Sequence, residues 1–462
     1  MISTTAFVFA RHDATVSAAR DTLTIAVAKK PKMDEAFAWA DVLGASAFAR
    51  DTTTGLVIHV FAKHKNGKRK LREVELTASG SSQQDIDKWL CVIRYFACPT
   101  RHADEPLATL DVIVQAAPKQ RRFLALVNPV GGSGKGEKIY EKVAPLFMHA
   151  NIHLEKLVTE RFEQAIEIAA ELDLAAYDGV VLVGGDGAPY EVIQGFMRRQ
   201  DWAKAIKFPF GIIPAGSGNG LAGTMAHAAG ERCNPETSAF MVIKGRPLPL
   251  DIASLRNEAS TTYIFLSLSW AFMAEVDFDS EKYRYLGGQR FAVSAIAKIF
   301  TNKGWTGKFS YAPATPEDVP MYWDTDATPG DAPRLSLLPA IGDPLPSDWT
   351  STEGVFSLFW AMNVTHAGQD AHVAPMADLC DGHMHVVLME GSASLGDYAS
   401  VMLNIDNGEH VQKPCVKVVT TRAFQLETPD HDVLSADGER YGGGVCQVEV
   451  HRGLARVLGF LA

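Results

Sequence analysis

Residues 179–187 read GVVLVGGDG. Four consecutive large apolar residues with no polar alternation describe a strand buried on both faces, and the Gly-Gly-Asp-Gly that follows ends it in a tight turn. Upstream, residues 123–136 (FLALVNPVGGSGKG) repeat the plan, an apolar strand running into glycines. Downstream, residues 210–222 (FGIIPAGSGNGLA) repeat it once more. Working outward, the periodicity predicts strands over 123–127, 154–158, 179–183 and 209–213, and helices over 137–149, 163–172, 189–199 and 218–227. Strand alternating with helix implies a parallel, doubly wound sheet, because parallel neighbours need a crossover connection.

In such a sheet the strand C-termini share one edge, and ligands bind there. The first, third and fourth strands all end in glycine turns at that edge. Together they offer close backbone approach and N–H groups at helix starts, a combination suited to a polyphosphate. The first turn is not a Walker A loop, since that pattern needs Gly where Pro129 stands and Ser or Thr where Gly136 stands. It is not a dinucleotide G-x-G-x-x-G fingerprint either, and protein-kinase triplets are absent. Asp186 is the one carboxylate among these glycines. It is placed to accept the proton of an attacking hydroxyl, or it caps the helix that follows it. Lys135 either neutralises phosphate charge or is a solvated helix-start lysine.

Before this region, residues 1–98 read as a small β-rich domain closed by one helix. Strands are expected at 22–27 and 55–62, and Asn66-Gly67 marks a hairpin. The helix spans 81–97, with Ser82 and Asp85 as a capping pair and Ile86, Trp89, Leu90, Ile93, Phe96 and Ala97 on one face. Such a helix with a central Trp resembles the closing helix of a pleckstrin-homology-like barrel. Residues 99–121 read as a linker with one strand at 110–114. The α/β nucleotide-binding catalytic domain is expected over 122–247. From 248 to 462 strands dominate, giving a β-rich, sandwich-like lobe, with 263–274 as a buried strand. Within it, 312–349 holds eight of the chain's 23 prolines and reads as a long flexible loop.

The whole chain has 462 residues, 47% hydrophobic and 21% charged, which is the mix of a globular protein. Its formal charge is −10, which disfavours nucleic acid as a partner. Anionic ligands must therefore be held by local geometry rather than by the global field. No apolar run reaches the ~18 residues of a membrane span, and the first residues lack the pattern of a signal peptide. The six cysteines show neither C-x-x-C nor zinc spacing, so a reduced cytoplasmic compartment and no protein-held metal are expected.

The segments NPVGGSGKG, GGDGAPYEVIQG and PAGSGNGLA resemble the catalytic domain of the diacylglycerol kinase and sphingosine kinase superfamily, and PAGSGN resembles its sphingosine kinase branch. SLSWAFMAEVDFDSEKYRYLGGQR (267–290) and the DGE at 437–439 are similar to further segments of that branch in the same order. The resemblance implies an ATP-dependent, Mg²⁺-requiring lipid kinase acting on the primary hydroxyl of a sphingoid base. It implies Asp186 as the catalytic base. It implies a nucleotide site of Asn128, Gly131, Gly132, Ser133, Gly134, Lys135, Thr159, Gly184, Gly185, Gly187, Glu191, Gly216, Ser217, Gly218, Asn219, Arg284, Arg290, Asp437 and Glu439. Asp277 would hold the substrate's amino group and hydroxyl in the apolar setting of Phe272 and Met273, as a carboxylate suits an ammonium; for Arg284 a salt-bridged surface helix is the alternative. Val130, Pro189, Tyr190 and Gln194 depart from the family pattern. The lipid substrate implies transient, peripheral contact with a membrane surface, and Lys63, Lys65, Lys68, Arg69, Lys70 and Arg72 form either an anionic-lipid patch or a solvated hairpin. Kinases of diacylglycerol or ceramide, and a membrane-binding pseudokinase, are the other readings.

Overall fold

The structure is a computed structural model that describes residues 2–51, 53–79, 83–100, 109–115, 118–129, 134–283, 290–299, 304–314, 319–325 and 330–462. Two compact units are present: residues 1–124, 141–155 and 234–246 form one, and residues 125–140, 156–233 and 247–462 form the other.

The first unit contains a seven-stranded antiparallel sheet of β1 (Ile2–Phe9), β2 (His12–Ala18), β3 (Thr22–Val27), β4 (Glu35–Ala38), β5 (Val42–Arg50), β6 (Thr53–Lys63) and β7 (Arg69–Ala78). Its order is β4-β3-β2-β1-β7-β6-β5. The β6–β7 hairpin falls where Asn66-Gly67 placed it, with Gly67 at φ 77° and the Lys68 N–H donating to Asn66 Oδ1. Helix α1 (Gln83–Ala97) buries Ile86, Trp89, Val92, Ile93, Phe96 and Ala97. Phe96 stacks on Trp39 with centroids 5.0 Å apart. The Ser82 end of the capping pair lies outside the described residues. Residues 110–114, read above as a strand, lie in a helix, α2 (Leu110–Gln115); only Ile113 of it is buried, so one apolar anchor decided its packing rather than an alternating face.

The α/β alternation continues as β8 (Arg121–Val127), α3 (Gly136–His149), β9 (Ile152–Val158), α4 (Gln164–Glu171), β10 (Gly179–Gly184), α5 (Gly187–Met197), α6 (Trp202–Ala205), β11 (Phe210–Pro214), α7 (Gly220–Ala228) and α8 (Pro235–Lys244). β10 and β11 pair in parallel from Val180–Phe210 to Gly184–Pro214, which sets two glycine turns side by side.

The remaining elements are β12 (Arg246–Arg256), β13 (Thr261–Ile264), β14 (Ser267–Ala271), α9 (Phe272–Ser280), α10 (Arg290–Ile299), β15 (Trp305–Tyr311), β16 (Thr350–Met362), β17 (Met384–Glu390), α11 (Leu395–Met402), β18 (Lys417–Thr421), β19 (Ala423–Glu427), β20 (Val433–Ala436), β21 (Glu439–Gly442) and β22 (Val445–Gly459). Strands β8 to β11 and the C-terminal strands share one mixed sheet, in which β22 pairs antiparallel with β19 and parallel with β11 at Val457–Phe210. The buried run 263–274 is not one strand. It breaks between β13 and β14 and turns into α9 at Ala271, whose φ of 61° is a strained value for a residue with a Cβ. The described part of 312–349 contains no strand, yet it is tied down. Glu449 accepts bonds from the backbone N–H groups of Ser336, Leu337 and Leu338, and Trp323 Nε1 donates to Leu454 O. No helix among the described residues is long and apolar enough to cross a membrane.

Candidate active site

The turns after β10 and β11 interlock. A Cβ on Gly216 would lie 2.3 Å from the Gly185 Cα, and one on Gly185 would lie 2.8 Å from the Gly218 carbonyl oxygen. Only glycine at both positions lets the backbones approach this closely. Gly216→Ala is expected to force the turns apart and lower the melting temperature, which a thermal melt of the variant beside the wild type checks. Around Gly187 a Cβ would meet nothing within 4 Å, so this side of the turn faces open space.

Asp186 is buried in this junction. Its Oδ2 accepts from the Gly220 N–H at 2.7 Å and its Oδ1 from the Leu221 N–H at 3.1 Å. The carboxylate therefore caps α7, a helix that begins 34 residues later, and makes no side-chain cap bond to α5, the helix it precedes. Burial pushes its carboxyl up to about 6; the two N–H bonds oppose that shift without cancelling it. A carboxyl with such a value is ionised at neutral pH yet able to hold a proton, a property that suits general-base work. Asn219 closes the turn from the other side, taking the Gly216 N–H on Oδ1 and donating Nδ2 to the Gly216 carbonyl. The innermost donors of this third turn thus orient Asp186 and the loop. Ser217 and Gly218 are half-buried at its rim.

At the first turn, Gly136 permits α3 to start against β8, since a Cβ there would lie 2.1 Å from the Asn128 carbonyl oxygen. Gly134 takes φ 67°, Lys135 is exposed, and Gly184 is buried beside Ala188 and Asn128. Thr159 N–H bonds the Val127 carbonyl. Glu191 Oε2 accepts the Ala165 N–H at the start of α4, and burial raises its carboxyl above the ordinary range. Val130, Gly131, Gly132, Ser133 and Arg284 lie outside the described residues.

In the C-terminal part, Asp277 sits on α9 with Oδ2 2.5 Å from the Ser435 hydroxyl, which donates to it. Burial raises its carboxyl above the ordinary value, while Ser435 and the Arg290 charge pull the other way. Phe272 and Met273 of the same helix are buried, and Phe272 packs on Tyr398 at 4.5 Å between centroids. Arg290, at the start of α10, is buried and ion-paired with Glu281. Two residues past Ser435, Asp437 gives Oδ1 to the N–H groups of Leu266 and Ser267 and Oδ2 to that of Phe265, at 2.8–2.9 Å. Those three bonds make the break between β13 and β14. Burial pushes Asp437 up to about 7, with a smaller contribution from the Asp186 charge, so the two carboxylates share one neighbourhood. Glu439, just beyond, is half-buried.

The family profile described as the diacylglycerol kinase catalytic domain matches residues 122–255, and that of the YegS C-terminal NAD kinase beta sandwich-like domain matches residues 349–459. Sphingosine kinase 1 of Homo sapiens is 34% identical over 349 residues, covering 72% of this chain and 90% of its own length. Sphingosine kinase 1 of Arabidopsis thaliana is 32% identical over 333 residues, covering 70% and 68%. The chain belongs to the sphingosine kinase family. The sphingoid long chain base kinase 4 of Schizosaccharomyces pombe is 28% identical over 351 residues, covering 72% of this chain and 73% of its own. Two solved Bacillus anthracis structures, each assigned by name as a diacylglycerol kinase, share the fold with TM-scores of 0.52 and 0.53 at 18% identity, covering 74% of this chain and 98% of theirs.

Two residues of this sphingosine kinase family member that depart from the expected motif take a shared role. Gln194 bonds the Tyr263 backbone in both directions, with Nε2 donating to the carbonyl and Oε1 accepting the N–H, and it also accepts the Thr262 hydroxyl. The Tyr190 hydroxyl meets the same Thr262 at 3.2 Å. They fasten α5, which starts at the Asp186 turn, to β13. A polar residue at an otherwise buried helix position was the available signal. Asp251 was missed in the sequence: its two oxygens take the N–H groups of Gly382 and Gly453 at 2.6 Å, and burial pushes it up to about 7.

Proposed function

We infer that this chain is an ATP-dependent lipid kinase that phosphorylates the primary hydroxyl of sphingosine or a related sphingoid base. The observation that carries the mechanism is Asp186, a buried carboxylate with a raised pKa held at the junction of two glycine turns. The lipid hydroxyl gives its proton to Asp186 as its oxygen forms a bond to the γ-phosphorus, and the bond from that phosphorus to the ADP oxygen breaks. Mg²⁺ enters bound to ATP as the substrate. The carboxylates nearest the turns are already committed to backbone N–H groups, which fits an ion held mainly by phosphate and water. Backbone N–H groups of the three turns, with Lys135, take the phosphates. Arg290, freed from Glu281, and Arg284 offset charge in the transition state.

Asp277 selects the substrate. A half-buried carboxylate beside Phe272 and Met273 favours a lipid that carries an ammonium, and nothing is gained by diacylglycerol or ceramide. Ceramide kinase of Homo sapiens, 28% identical over 392 residues, gives the alternative a basis. Transfer from Mg²⁺·ATP to a panel of sphingosine, phytosphingosine, ceramide and diacylglycerol separates the two. Labelling of the free bases alone is expected, and equal labelling of the uncharged lipids would discard the substrate assignment. Asp277→Asn is expected to lower kcat/KM for sphingosine by about 10- to 100-fold, the loss of a charge-assisted bond of about 1.5–3 kcal/mol, with KM for ATP unchanged.

In this reading the sequence divides into a PH-like barrel, a linker, a doubly wound catalytic domain and a β-sandwich lipid lobe. The barrel is supported by the strand order, in which β7 returns to pair with β1, and by α1 packed on the sheet. Peripheral membrane contact falls to the lysines of the β6–β7 hairpin. Arg69 is taken by Asp41 at 2.7 Å, and Arg72 by Glu35 at 2.6 Å. That leaves a weaker patch than the six charges suggest.

A further inference from the structure

The first unit holds a cluster that phosphoryl transfer does not use. His59 on β6 stands directly opposite Glu73 on β7, with Nδ1 3.4 Å from a Glu73 carboxylate oxygen. Its ring stacks on that of His149, the last residue of α3, at 3.7 Å between centroids and 21° between planes. Its Nε2 shares a 2.9 Å hydrogen bond with the Ser46 hydroxyl on β5. His59 is 2% exposed, and its Nδ1 is shut from solvent with no hydrogen-bond partner. One ligand atom from each of His59, Glu73 and His149 lies within 4.8 Å of the others.

The backbone is shaped for this meeting. Gly44 on β5 pairs with His59, and a Cβ there would lie 2.4 Å from the His149 carbonyl oxygen. Glycine at that position lets the end of α3 descend onto the sheet beside the buried imidazole.

A buried nitrogen without a partner is costly, and in the tautomer whose Nε2–H is donated to Ser46 the Glu73 carboxylate faces the Nδ1 lone pair. A cation between them removes both penalties. When the Ser46 hydroxyl accepts the Nε2 proton, the Nδ1 lone pair points toward Glu73, which is how an outer hydrogen bond commonly fixes the tautomer of a metal-binding histidine. Two imidazole nitrogens and one carboxylate oxygen are a donor set used by zinc with a fourth position left to water. That set disfavours Mg²⁺ and Ca²⁺, which want oxygen ligands. Glu73, with 58% of its side chain exposed, gives the ion an entry path.

We propose that His59, Glu73 and His149 bind one divalent transition-metal ion of the zinc class and clip the end of α3 to β6 and β7. Ser46 acts as the positioning residue for His59.

The test uses the full-length, untagged, chelator-stripped protein, titrated with Zn²⁺ by calorimetry and with Co²⁺ by visible absorption. Saturable binding of one ion per chain is expected, with a melting temperature that rises once Zn²⁺ exceeds its Kd. His149→Gln and Glu73→Gln are each expected to weaken binding more than about tenfold and to abolish the Zn²⁺-dependent thermal shift, while kinase turnover without Zn²⁺ is kept. Ser46→Ala is expected to weaken binding by roughly 10- to 100-fold. Glu73 lies at the surface, so its variant reports even where a histidine variant fails to fold. Absence of saturable binding to the wild type overturns the proposal. So does equal affinity in Glu73→Gln and His149→Gln, which would place the ion on others of the 14 histidines. Either outcome leaves the kinase reading untouched.

Discussion

Asp186→Asn is expected to lower kcat by about 10²- to 10⁴-fold, the usual range for removing a positioned general base, with ATP affinity nearly unchanged. The substitution keeps the shape but loses the proton acceptor. It also loses a symmetric pair of acceptors. The two carboxylate oxygens receive the Gly220 and Leu221 N–H groups, and either rotamer of the amide turns an NH₂ toward one of them. The clash costs stability, about 1–3 kcal/mol for one buried donor left unpaired. Calorimetric binding of a non-hydrolysable ATP analogue separates lost chemistry from lost folding: the variant is expected to bind the analogue like wild type while failing to turn over. Unchanged turnover would remove Asp186 from the mechanism. The wild-type rate is also expected to fall as pH drops through about 6, where Asp186 takes up its proton, rather than near the ordinary carboxylate value. The residual rate of the variant should lack that acid limb.

The features legible in the sequence are those written locally. GVVLVGGDG and FGIIPAGSGNGLA carry both a buried strand and the turn that ends it, so the edge of the sheet and the glycines on it followed from composition and spacing. Asp186 was legible as a candidate, but its partner was not. Nothing within its own motif shows that its carboxylate caps α7, because that bond joins two turns that only the parallel pairing of β10 and β11 brings together. The same holds for the basic hairpin, where Asp41 and Glu35 lie 28 and 37 positions from the arginines they neutralise. Residues 263–274 were misread for a related reason. Their hydrophobicity is continuous, and the break is imposed by a carboxylate 170 residues away. Helix α8 was readable and was passed over: Asn234 accepts the Thr237 N–H as an N-cap and Pro235 follows at the first position.

Asp437→Ala is expected to be strongly destabilising. Asp437 satisfies three consecutive buried N–H groups, those of Phe265, Leu266 and Ser267, at the point where the chain leaves β13 and enters β14. Alanine leaves all three without an acceptor. At about 1–3 kcal/mol for each unmet donor, the loss reaches a large part of the 5–15 kcal/mol that holds a typical domain folded. The damage extends to Asp277, because β20 carries Ser435, which donates to it, only two residues before Asp437. The variant also decides between two roles for the DGE element. A nucleotide contact predicts a raised KM for ATP at an unchanged melting temperature, whereas the hydrogen bonds predict a collapse of the melting temperature first. Asp437→Asn refines the test through pH. Burial pushes the native carboxyl up to about 7, so the folded state binds a proton that the unfolded chain has already released above about 4. The wild-type contribution is therefore full below about 4 and is lost as pH rises through 7. An amide does not titrate, so the gap in melting temperature between wild type and Asp437→Asn should be widest in mild acid and narrow toward pH 8. A gap that instead widens with pH would show that Asp437 is ionised and paired with a cation in the folded protein.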